Sequence, residues 1–313
     1  MRLAAQVLYG AIVYHKTYSF KERDMAVITG TNADDGLNGT DENDIIYGLG
    51  GIDFIQGNGG DDEIYGGEGD DIIFSGTGQD RIFGGEGADR IFGSFESYGG
   101  DGNDALFGGT KLFGGDDNDS LWSGEGNDQL YGEDGNDSLY GGTQDDILYG
   151  ADGNDNLNGG SGNDRLFGED GNDTLLGIGL NDVPSSGSAG SDRFTSSIDI
   201  LRGGDGADNF VFGGTLAGRA FGSFYTVAGN GDYGAIADFD KSQDKISLVR
   251  EQRGFGIEEV TVEYSLAASP SGLPSGTAIF ANNIGAKPEL IAIVQNVSPD
   301  SLSLSDSYFQ FIA

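Results

Sequence analysis

The sequence predicts an all-β protein: a right-handed parallel β-roll of glycine- and aspartate-rich nonapeptides, closed by a β-rich C-terminal cap. Glycine accounts for 58 of the 313 residues, more than twice its usual share of about 7%. Glycine, aspartate and one large aliphatic residue recur together with a period of nine residues. The chain is also strongly acidic, with a formal net charge of −36. Fixed periods of this kind are typical of repeat architectures.

The repeat is clearest from Gly30 onwards, where the chain reads GTNADDGLN, GTDENDIIY, GLGGIDFIQ, GNGGDDEIY and GGEGDDIIF. The shared pattern is G-G-x-G-x-D-x-U-x, in which U is a large aliphatic residue. Its glycines allow a tight turn with positive φ, and x-U-x forms a short strand whose central side chain points inward. Two nonapeptides complete one coil, so successive strands alternate between two sheets, here named A and B. Each turn takes the letter of the strand that follows it.

The aspartate at position six closes each turn and lies close to the equivalent turn of the next coil, because coils stack at about 4.8 Å. Such carboxylates repel one another unless a cation lies between them, and Ca²⁺ is a hard cation that prefers carboxylate and carbonyl oxygens. The candidate metal ligands of the A turns are Asp35, Asp53, Asp71, Asp89, Asp104, Asp119, Asp137, Asp155, Asp173, Asp192 and Asp208. Those of the B turns are Asp44, Asp62, Asp80, Asp128, Asp146 and Asp164.

These nonapeptides resemble the repeats-in-toxin (RTX, hemolysin-type calcium-binding repeat) family from Gly30 to about Phe212. The resemblance implies a parallel β-roll that binds calcium between consecutive turns. It also implies a secreted protein that a type I secretion machinery exports, with an uncleaved signal at the extreme C-terminus. We therefore expect an extracellular or cell-surface location.

Defects in the repeat fall on one edge of the roll. The B turns that begin at residues 93, 108 and 196 are short, whereas the A turns keep their pattern, including one at residue 187 that contains Asp192. This segregation predicts one continuous roll with a pinched B edge. We expect roughly 15 calcium ions, about +30 in charge, which would nearly cancel the net charge of −36. With only one aliphatic residue in nine to bury, the roll is expected to fold only when calcium binds.

Three segments follow from the limits of the repeat. Residues 1–29 form an N-terminal arm, and Met25 is a candidate native start because it leads directly into the first repeat. Residues 30–212 form the calcium-binding roll. Residues 213–313 form the cap, which an open roll end requires, and are expected to contain the type I secretion signal. No apolar run reaches the ~20 residues of a membrane-spanning helix.

The composition argues against an enzyme. His15 is the only histidine and lies outside the repeats, which excludes an H-E-x-x-H zinc protease and leaves no candidate for a Ser-His-Asp triad among the repeats. G-x-S-x-G and P-loop lysine motifs are absent from the sequence. Nucleic acids and anionic membranes are poor partners for so acidic a chain. The leading prediction is a secreted, non-enzymatic calcium-binding protein with a structural or interaction role at the cell surface.

Position nine of the B turns is aromatic in eight consecutive coils and points outward. The residues of this aromatic ladder are Tyr47, Tyr65, Phe83, Tyr98, Phe113, Tyr131, Tyr149 and Phe167. One interpretation is ring-on-ring stacking that stiffens the sheet, or a surface that the C-terminal region covers. The other is an exposed platform for a polysaccharide, a neighbouring copy or another surface partner. A carbohydrate-binding β-roll module is therefore the alternative function.

Overall fold

A computed structural model describes residues 4–8, 11–15, 25–93, 95–178, 198–212, 214–216, 219–221, 233–249, 251–252, 260–261, 263–270, 273–282 and 289–312. The chain forms two compact units, residues 1–139 and 140–313. Within the described ranges the regular structure is all-β apart from one 3-10 helix, Pro299–Ser301. None of the described residues belongs to a helix long and apolar enough to span a membrane.

The first unit contains a short antiparallel hairpin followed by a parallel two-sheet roll. The hairpin strands are β1 (Ala4–Leu8) and β2 (Ala11–His15). Sheet A of this unit contains β4 (Gly36–Asn38), β6 (Phe54–Gln56), β8 (Ile72–Phe74), β10 (Arg90–Phe92), β12 (Ala105–Phe107) and β14 (Ser120–Glu125). Sheet B contains β3 (Val27–Thr29), β5 (Ile45–Gly50), β7 (Glu63–Glu68), β9 (Arg81–Glu86), β11 (Glu96–Asp101), β13 (Lys111–Asp116) and β15 (Gln129–Asp134).

Strands in both sheets pair in parallel and in strict register, so equivalent repeat positions lie directly above one another. Ile55 pairs with Ile73 in sheet A, and Ile64 pairs with Ile82 in sheet B. The two short B turns keep this register, because β11 pairs with both β9 and β13 over their full length. The predicted pinched B edge is therefore present in this unit.

The core of the roll is the stack of U side chains between the two sheets. Leu37, Ile55, Ile73, Ile91 and Leu106 of sheet A are at most 1% exposed. In sheet B, Ser97 takes the U position of one short repeat and is equally buried. Each coil thus contributes only about two side chains to a thin core, as the nonapeptide pattern predicts.

The second unit contains the same type of roll and ends in a cap. The division between the units falls within β16 (Ser138–Thr143). Its roll strands are β17 (Ile147–Asp152), β18 (Asn156–Ser161), β19 (Arg165–Asp170), β20 (Thr174–Ile178), β21 (Ile198–Asp205) and β22 (Asn209–Phe212). Two short pairs follow: β23 (Gly214–Leu216) with β24 (Arg219–Phe221), and β27 (Glu251–Gln252) with β28 (Val260–Thr261).

The cap extends both sheets of the second unit. Its strands are β25 (Tyr233–Ile236), β26 (Lys245–Val249), β29 (Glu263–Ala268), β30 (Gly276–Asn282), β31 (Glu289–Gln295) and β32 (Phe309–Ile312). Strands β26 and β32 add in parallel beyond β22, and β25 and β31 add in parallel beyond β21. Strands β30 and β29 then add antiparallel. A small apolar cluster that includes Ala235, Ala278, Leu290 and Ile293 supports this end.

One predicted coil is absent from the second unit. Strand β20 pairs directly with β22, so Leu175 lies beside Phe210, and the backbone N–H of Asp173 donates to Oδ1 of Asp208 at 3.0 Å. The expectation that Asp192 would supply a rung between these aspartates is therefore wrong. Asp192 itself lies outside the described residues. The physical reason is that β20 and β22 already pair with each other, so sheet A has no place for a further strand between them.

Candidate metal-binding turns

Within each unit, the position-six aspartates of the A turns and those of the B turns form columns of buried carboxylates. In the A turns the backbone N–H of Asp53 donates to Oδ1 of Asp71 at 2.8 Å, and that of Asp89 donates to Oδ1 of Asp104 at 2.7 Å. The B turns repeat the arrangement, with Asp62 N–H donating to Oδ1 of Asp80 at 2.9 Å. Each carboxylate therefore binds the turn of the preceding coil through one oxygen.

The predicted metal ligands are almost completely buried. At most 2% of the residue surface is exposed for Asp44, Asp53, Asp62, Asp71, Asp80, Asp89, Asp104, Asp119, Asp128, Asp137, Asp146, Asp155, Asp164, Asp173 and Asp208. Asp35, in the first A turn, is half-buried. Charged side chains at this depth normally require a partner of opposite charge.

The second oxygen, Oδ2, is buried and accepts no hydrogen bond in most of these turns. This holds for Asp53, Asp62, Asp71, Asp80, Asp89, Asp104, Asp119, Asp164, Asp173 and Asp208. A buried carboxylate oxygen without a donor is costly. Its repetition in coil after coil therefore indicates a ligand that the protein itself does not provide.

Glycine at position one makes room around this oxygen. A Cβ added at Gly57 would lie 2.5 Å from Asp62 Oδ2 and would collide with the carbonyl oxygen of Ser75 in the next coil. A Cβ added at Gly114 would likewise collide with Asp119 Oδ2 and would lie 2.7 Å from the carbonyl oxygen of Gly132. The space that a side chain would fill is thus bounded by a carboxylate oxygen and a main-chain carbonyl from the adjacent coil.

This donor set fits a hard cation. Calcium takes carboxylate and backbone carbonyl oxygens, often in mixed sets, and the two atoms nearest to an added Cβ at Gly57 or at Gly114 are one oxygen of each kind. Among the described residues, no three His, Cys, Asp or Glu side chains cluster closely enough to hold a metal by themselves. Carbonyl oxygens must therefore complete each site. The residues that would hold the ion are the position-six aspartates, and the ion would neutralise their buried charge.

In the ion-free protein, burial shifts the protonation equilibrium of these carboxyl groups strongly towards the protonated form. It raises the pKa of Asp62, Asp71, Asp89 and Asp104 from 3.8 to about 7, and that of Asp119 to about 8. Desolvation is the largest cause, and repulsion from other carboxylates adds to it. Each aspartate thus needs either a proton or a cation to remain buried.

In the first turn on each edge, a threonine provides the hydrogen-bond donors to Oδ2 that the interior turns lack. Asp35 Oδ2 accepts hydrogen bonds from the backbone N–H of Thr31 at 2.6 Å and from its hydroxyl at 2.8 Å. Asp44 Oδ2 accepts equivalent bonds from Thr40 at 2.5 and 2.9 Å, and its Oδ1 accepts one from Ala26 N–H at 2.8 Å. Asp44, a predicted metal ligand, is therefore fully supplied with protein donors.

The last aspartate of the A column is closed in a similar way. Asp244 continues the column beyond Asp208, whose backbone N–H donates to Asp244 Oδ1 at 3.2 Å. Asp244 Oδ2 accepts the backbone N–H of Asp240 at 2.7 Å. Protein donors to Oδ2 thus occur at the first A turn, at the first B turn and at Asp244, whereas interior Oδ2 atoms such as those of Asp89 and Asp104 lack them.

Two parts of the site were not predicted. Asp199 extends the B column, because Asp164 N–H donates to its Oδ1 at 2.9 Å; the shortened sequence around it concealed the repeat. The residues at position five form a second column, in which the side chain of one coil accepts a hydrogen bond from the backbone N–H of the next coil. For example, the backbone N–H of Asn136 donates to Asn118 Oδ1 at 2.9 Å. The frequent Asp or Asn at position five was the available signal.

A further column of acidic residues lies on the outside of the A edge. Position three places Glu68, Glu86, Asp101, Asp116 and Asp134 in register on consecutive strands, all of them exposed. Like charges directly opposite one another in a sheet destabilise it. This column therefore adds to the repulsion that a bound cation would relieve.

The aromatic ladder of sheet B consists of rings stacked on one another. From Tyr47 to Tyr131, consecutive ring centroids are 4.6–5.0 Å apart with interplanar angles of 4–12°. In the second unit Tyr149 stacks on Phe167 at 4.8 Å. Ring faces are thus turned towards neighbouring rings, and the half-buried side chains present mainly their edges to solvent. Sheet A has a similar stack from Phe74 to Trp122.

A known family of repeats matches the turns described above. The model of the RTX calcium-binding nonapeptide repeat (four copies) matches residues 29–64, 38–73, 47–82, 65–95, 98–110, 113–148 and 149–183. The chain is also similar to the solution structure of the AlgE6R3 subunit of the Azotobacter vinelandii mannuronan C5-epimerase, with 28% identity and a TM-score of 0.29, over 53% of this chain and 77% of that one. No curated protein matches the chain. The phased glycines, the buried aspartate columns and the repeated family match together show that this chain contains RTX calcium-binding nonapeptide repeats between residues 29 and 183.

Proposed function

We propose that this protein folds by binding several calcium ions between consecutive turns, and that the ions are ligated by the position-six aspartates together with main-chain carbonyls. The observation that carries this proposal is the repeated buried Oδ2 without a donor, as in Asp89 and Asp104. Thr40 provides this donor in the first B turn, and Asp240 provides it for Asp244, which follows Asp208 in the A column. The interior turns are therefore built for an external cation.

Calcium would control whether the chain is folded. Ordering a glycine-rich backbone is costly in entropy, and one buried aliphatic residue per nonapeptide is a small compensation. The net charge of −36 opposes compaction further. Binding free energy then becomes folding free energy, and sites of extracellular modules typically have dissociation constants of about 10⁻⁴–10⁻³ M. We expect the chain to be unfolded at cytosolic calcium and folded outside the cell.

The proposed setting is extracellular, with export by a type I machinery that reads the C-terminal segment. An unfolded, calcium-poor chain before export and a folded, calcium-loaded roll after it suit such a route. We propose a non-enzymatic structural or interaction role, because calcium ligation already accounts for the buried carboxylates. The cap strands β25, β26, β31 and β32 would protect the end of the second unit's roll.

Carbohydrate binding by the aromatic ladder is the alternative. The face-to-face stacking of Tyr65, Phe83 and Tyr98 leaves ring edges rather than faces for a sugar, which favours the structural interpretation of the ladder. Glycan-array binding by the wild type that disappears in a Tyr65→Ala, Tyr131→Ala variant would instead support the carbohydrate function.

Far-UV circular dichroism of the full chain tests calcium-dependent folding. In EGTA we expect a coil spectrum, and stepwise addition of calcium should produce strand signal in a saturable transition. Magnesium at the same concentration is the matched control, because it demands a smaller octahedral site and dehydrates reluctantly. Native strand content in EGTA would contradict the proposal.

A further inference from the structure

The outer face of sheet B in the first unit differs in charge from the rest of this acidic chain. Position seven of consecutive strands places Glu63, Arg81, Glu96 and Lys111 directly above one another in register. Arg81 forms ion pairs with Glu96 at 3.2 Å and with Glu63 at 3.6 Å. The column therefore has no net charge and alternates in sign, negative, positive, negative, positive, at a spacing of about 4.8 Å.

This alternation is complementary to itself under a twofold rotation. Each strand of sheet B contributes one row of outward residues. Consider a twofold axis that lies in the plane between two copies, runs parallel to the strands and passes between the rows of Arg81 and Glu96. Rotation about this axis reverses the order of the rows. It sets Glu63 opposite Lys111 of the second copy and Arg81 opposite Glu96. Every charge then faces one of opposite sign, as a symmetric isologous interface requires.

The neighbouring aromatic column follows the same symmetry. The rotation places Tyr65 opposite Phe113 and Phe83 opposite Tyr98, so half-buried ring edges meet ring edges. Lys111 makes no ion pair with any described residue, and its charge is therefore free to pair with another copy. Along the outer column from Glu68 to Asp134, by contrast, two copies of this chain would meet like charge with like.

We propose that the outer face of sheet B from β5 to β15 is a homodimer interface, with the two rolls antiparallel. Six rows at about 4.8 Å and a width of three to four strand residues at about 3.3 Å give about 300–400 Å² per copy. This is at most half of the roughly 800 Å² that a standard interface buries on each partner. The dimer is therefore weak and concentration-dependent. The inference requires only the folded sheet and is separate from the origin of the calcium dependence.

Charge reversal with complementation tests the proposed geometry, using full-length folded protein in calcium and sedimentation velocity over a wide concentration range. Lys111→Glu alone sets two glutamates against each other at both ends of the interface, and Glu63→Lys alone sets two cations against each other. We expect each single variant to self-associate at least tenfold more weakly than the wild type. An equimolar mixture should regain wild-type association, because residue 63 of one variant then faces residue 111 of the other with opposite charge.

The double variant Glu63→Lys, Lys111→Glu provides a matched control, since it keeps self-complementarity and should dimerise alone. Circular dichroism confirms that each variant is folded; if a single reversal does not fold, Lys111→Gln replaces it, with an expected severalfold weakening. A wild type that remains monomeric at the highest concentration would overturn the proposal. So would single variants that associate like the wild type, or a mixture of folded variants that fails to recover.

Discussion

The backbone N–H of Asp62 donates to Oδ1 of Asp80, one coil further along, at 2.9 Å, while Oδ2 of both carboxylates is buried without a donor. One oxygen therefore links the coils, and the other faces the glycine and carbonyl oxygens of the turn. A proton or a metal ion can satisfy the second oxygen. The choice between them makes the stability of the roll depend on both calcium and pH.

An asparagine at position six of an interior turn should keep the hydrogen bond that links the coils and remove the need for a proton or a cation at the second oxygen. In Asp89→Asn the amide oxygen can still accept the N–H of Asp71, and the amide NH₂ can donate to the carbonyl of Gly99, which bounds the same space. At saturating calcium we expect the variant to be less stable than the wild type, because a ligand charge is lost. In EGTA, with an osmolyte added to populate the ion-free folded state, we expect it to be more stable, because a buried charge is removed. Thermal melts under both conditions measure the two shifts.

Asp70→Asn is the control for this substitution, because Asp70 is exposed at position five and its Oδ1 accepts the N–H of Ala88, a role that an amide oxygen can keep. Its melting temperature should change little in either condition. Destabilisation of Asp89→Asn in EGTA would contradict the interpretation of its buried oxygen.

Protons should compete with calcium. Folded-state pKa values of about 7 for Asp71 and Asp104 lie above the ordinary value of 3.8. Between these values the ion-free folded chain holds protons that the unfolded chain has lost. Its free energy of unfolding is thus highest below pH 3.8 and falls as pH rises towards 7.

Calcium must displace those protons, so its affinity should fall as pH drops below about 7, by up to about tenfold per pH unit at each site. Calcium titrations followed by circular dichroism between about pH 8 and pH 6 check this expectation. A calcium midpoint independent of pH over that range would show that the aspartates bind calcium without losing a proton.

Thr40 should stabilise the first B turn with or without calcium. Thr40→Val removes the hydroxyl bond to Asp44 Oδ2, and we expect a loss of about 1 kcal/mol in the free energy of unfolding. Thr77→Val, at an exposed position three of a nearby B turn, is the control and should stay within about 0.5 kcal/mol of the wild type. Urea denaturation in calcium measures both; equal losses would argue against the threonine closure.

Backbone strain at position two provides an independent stability test. Leu49 has φ of 82° and is 45% exposed, so Leu49→Gly should raise the free energy of unfolding by about 0.5–1 kcal/mol through relief of the left-handed conformation. Gly67, its partner in the next coil, has φ of 120°, and an added Cβ would collide with the Leu49 carbonyl. Gly67→Ala should therefore lower stability by more than about 1 kcal/mol. Chemical denaturation distinguishes the opposite signs.

The sequence predicts most of the roll because each repeat position has one physical role. The period-nine pattern identified the inward U column, the buried aspartates and the unbroken register through the short turns before Ser97 and Leu112. It could not reveal that Asp192 is not a rung between Asp173 and Asp208, since a repeat-like segment can occur within a connection. The threonine closure of Asp44 was also missed, because it depends on which turn lacks a neighbour in space.

Counting bound calcium in paired variants of the same two turns tests the central claim most directly. Asp104→Asn with Asp119→Asn alters two buried position-six carboxylates, whereas Asp101→Asn with Asp116→Asn removes the same charge from exposed position three. Equilibrium dialysis followed by elemental analysis should show fewer calcium ions per chain for the position-six pair and the wild-type number for the position-three pair. Equal calcium content in the wild type and both pairs would contradict the account.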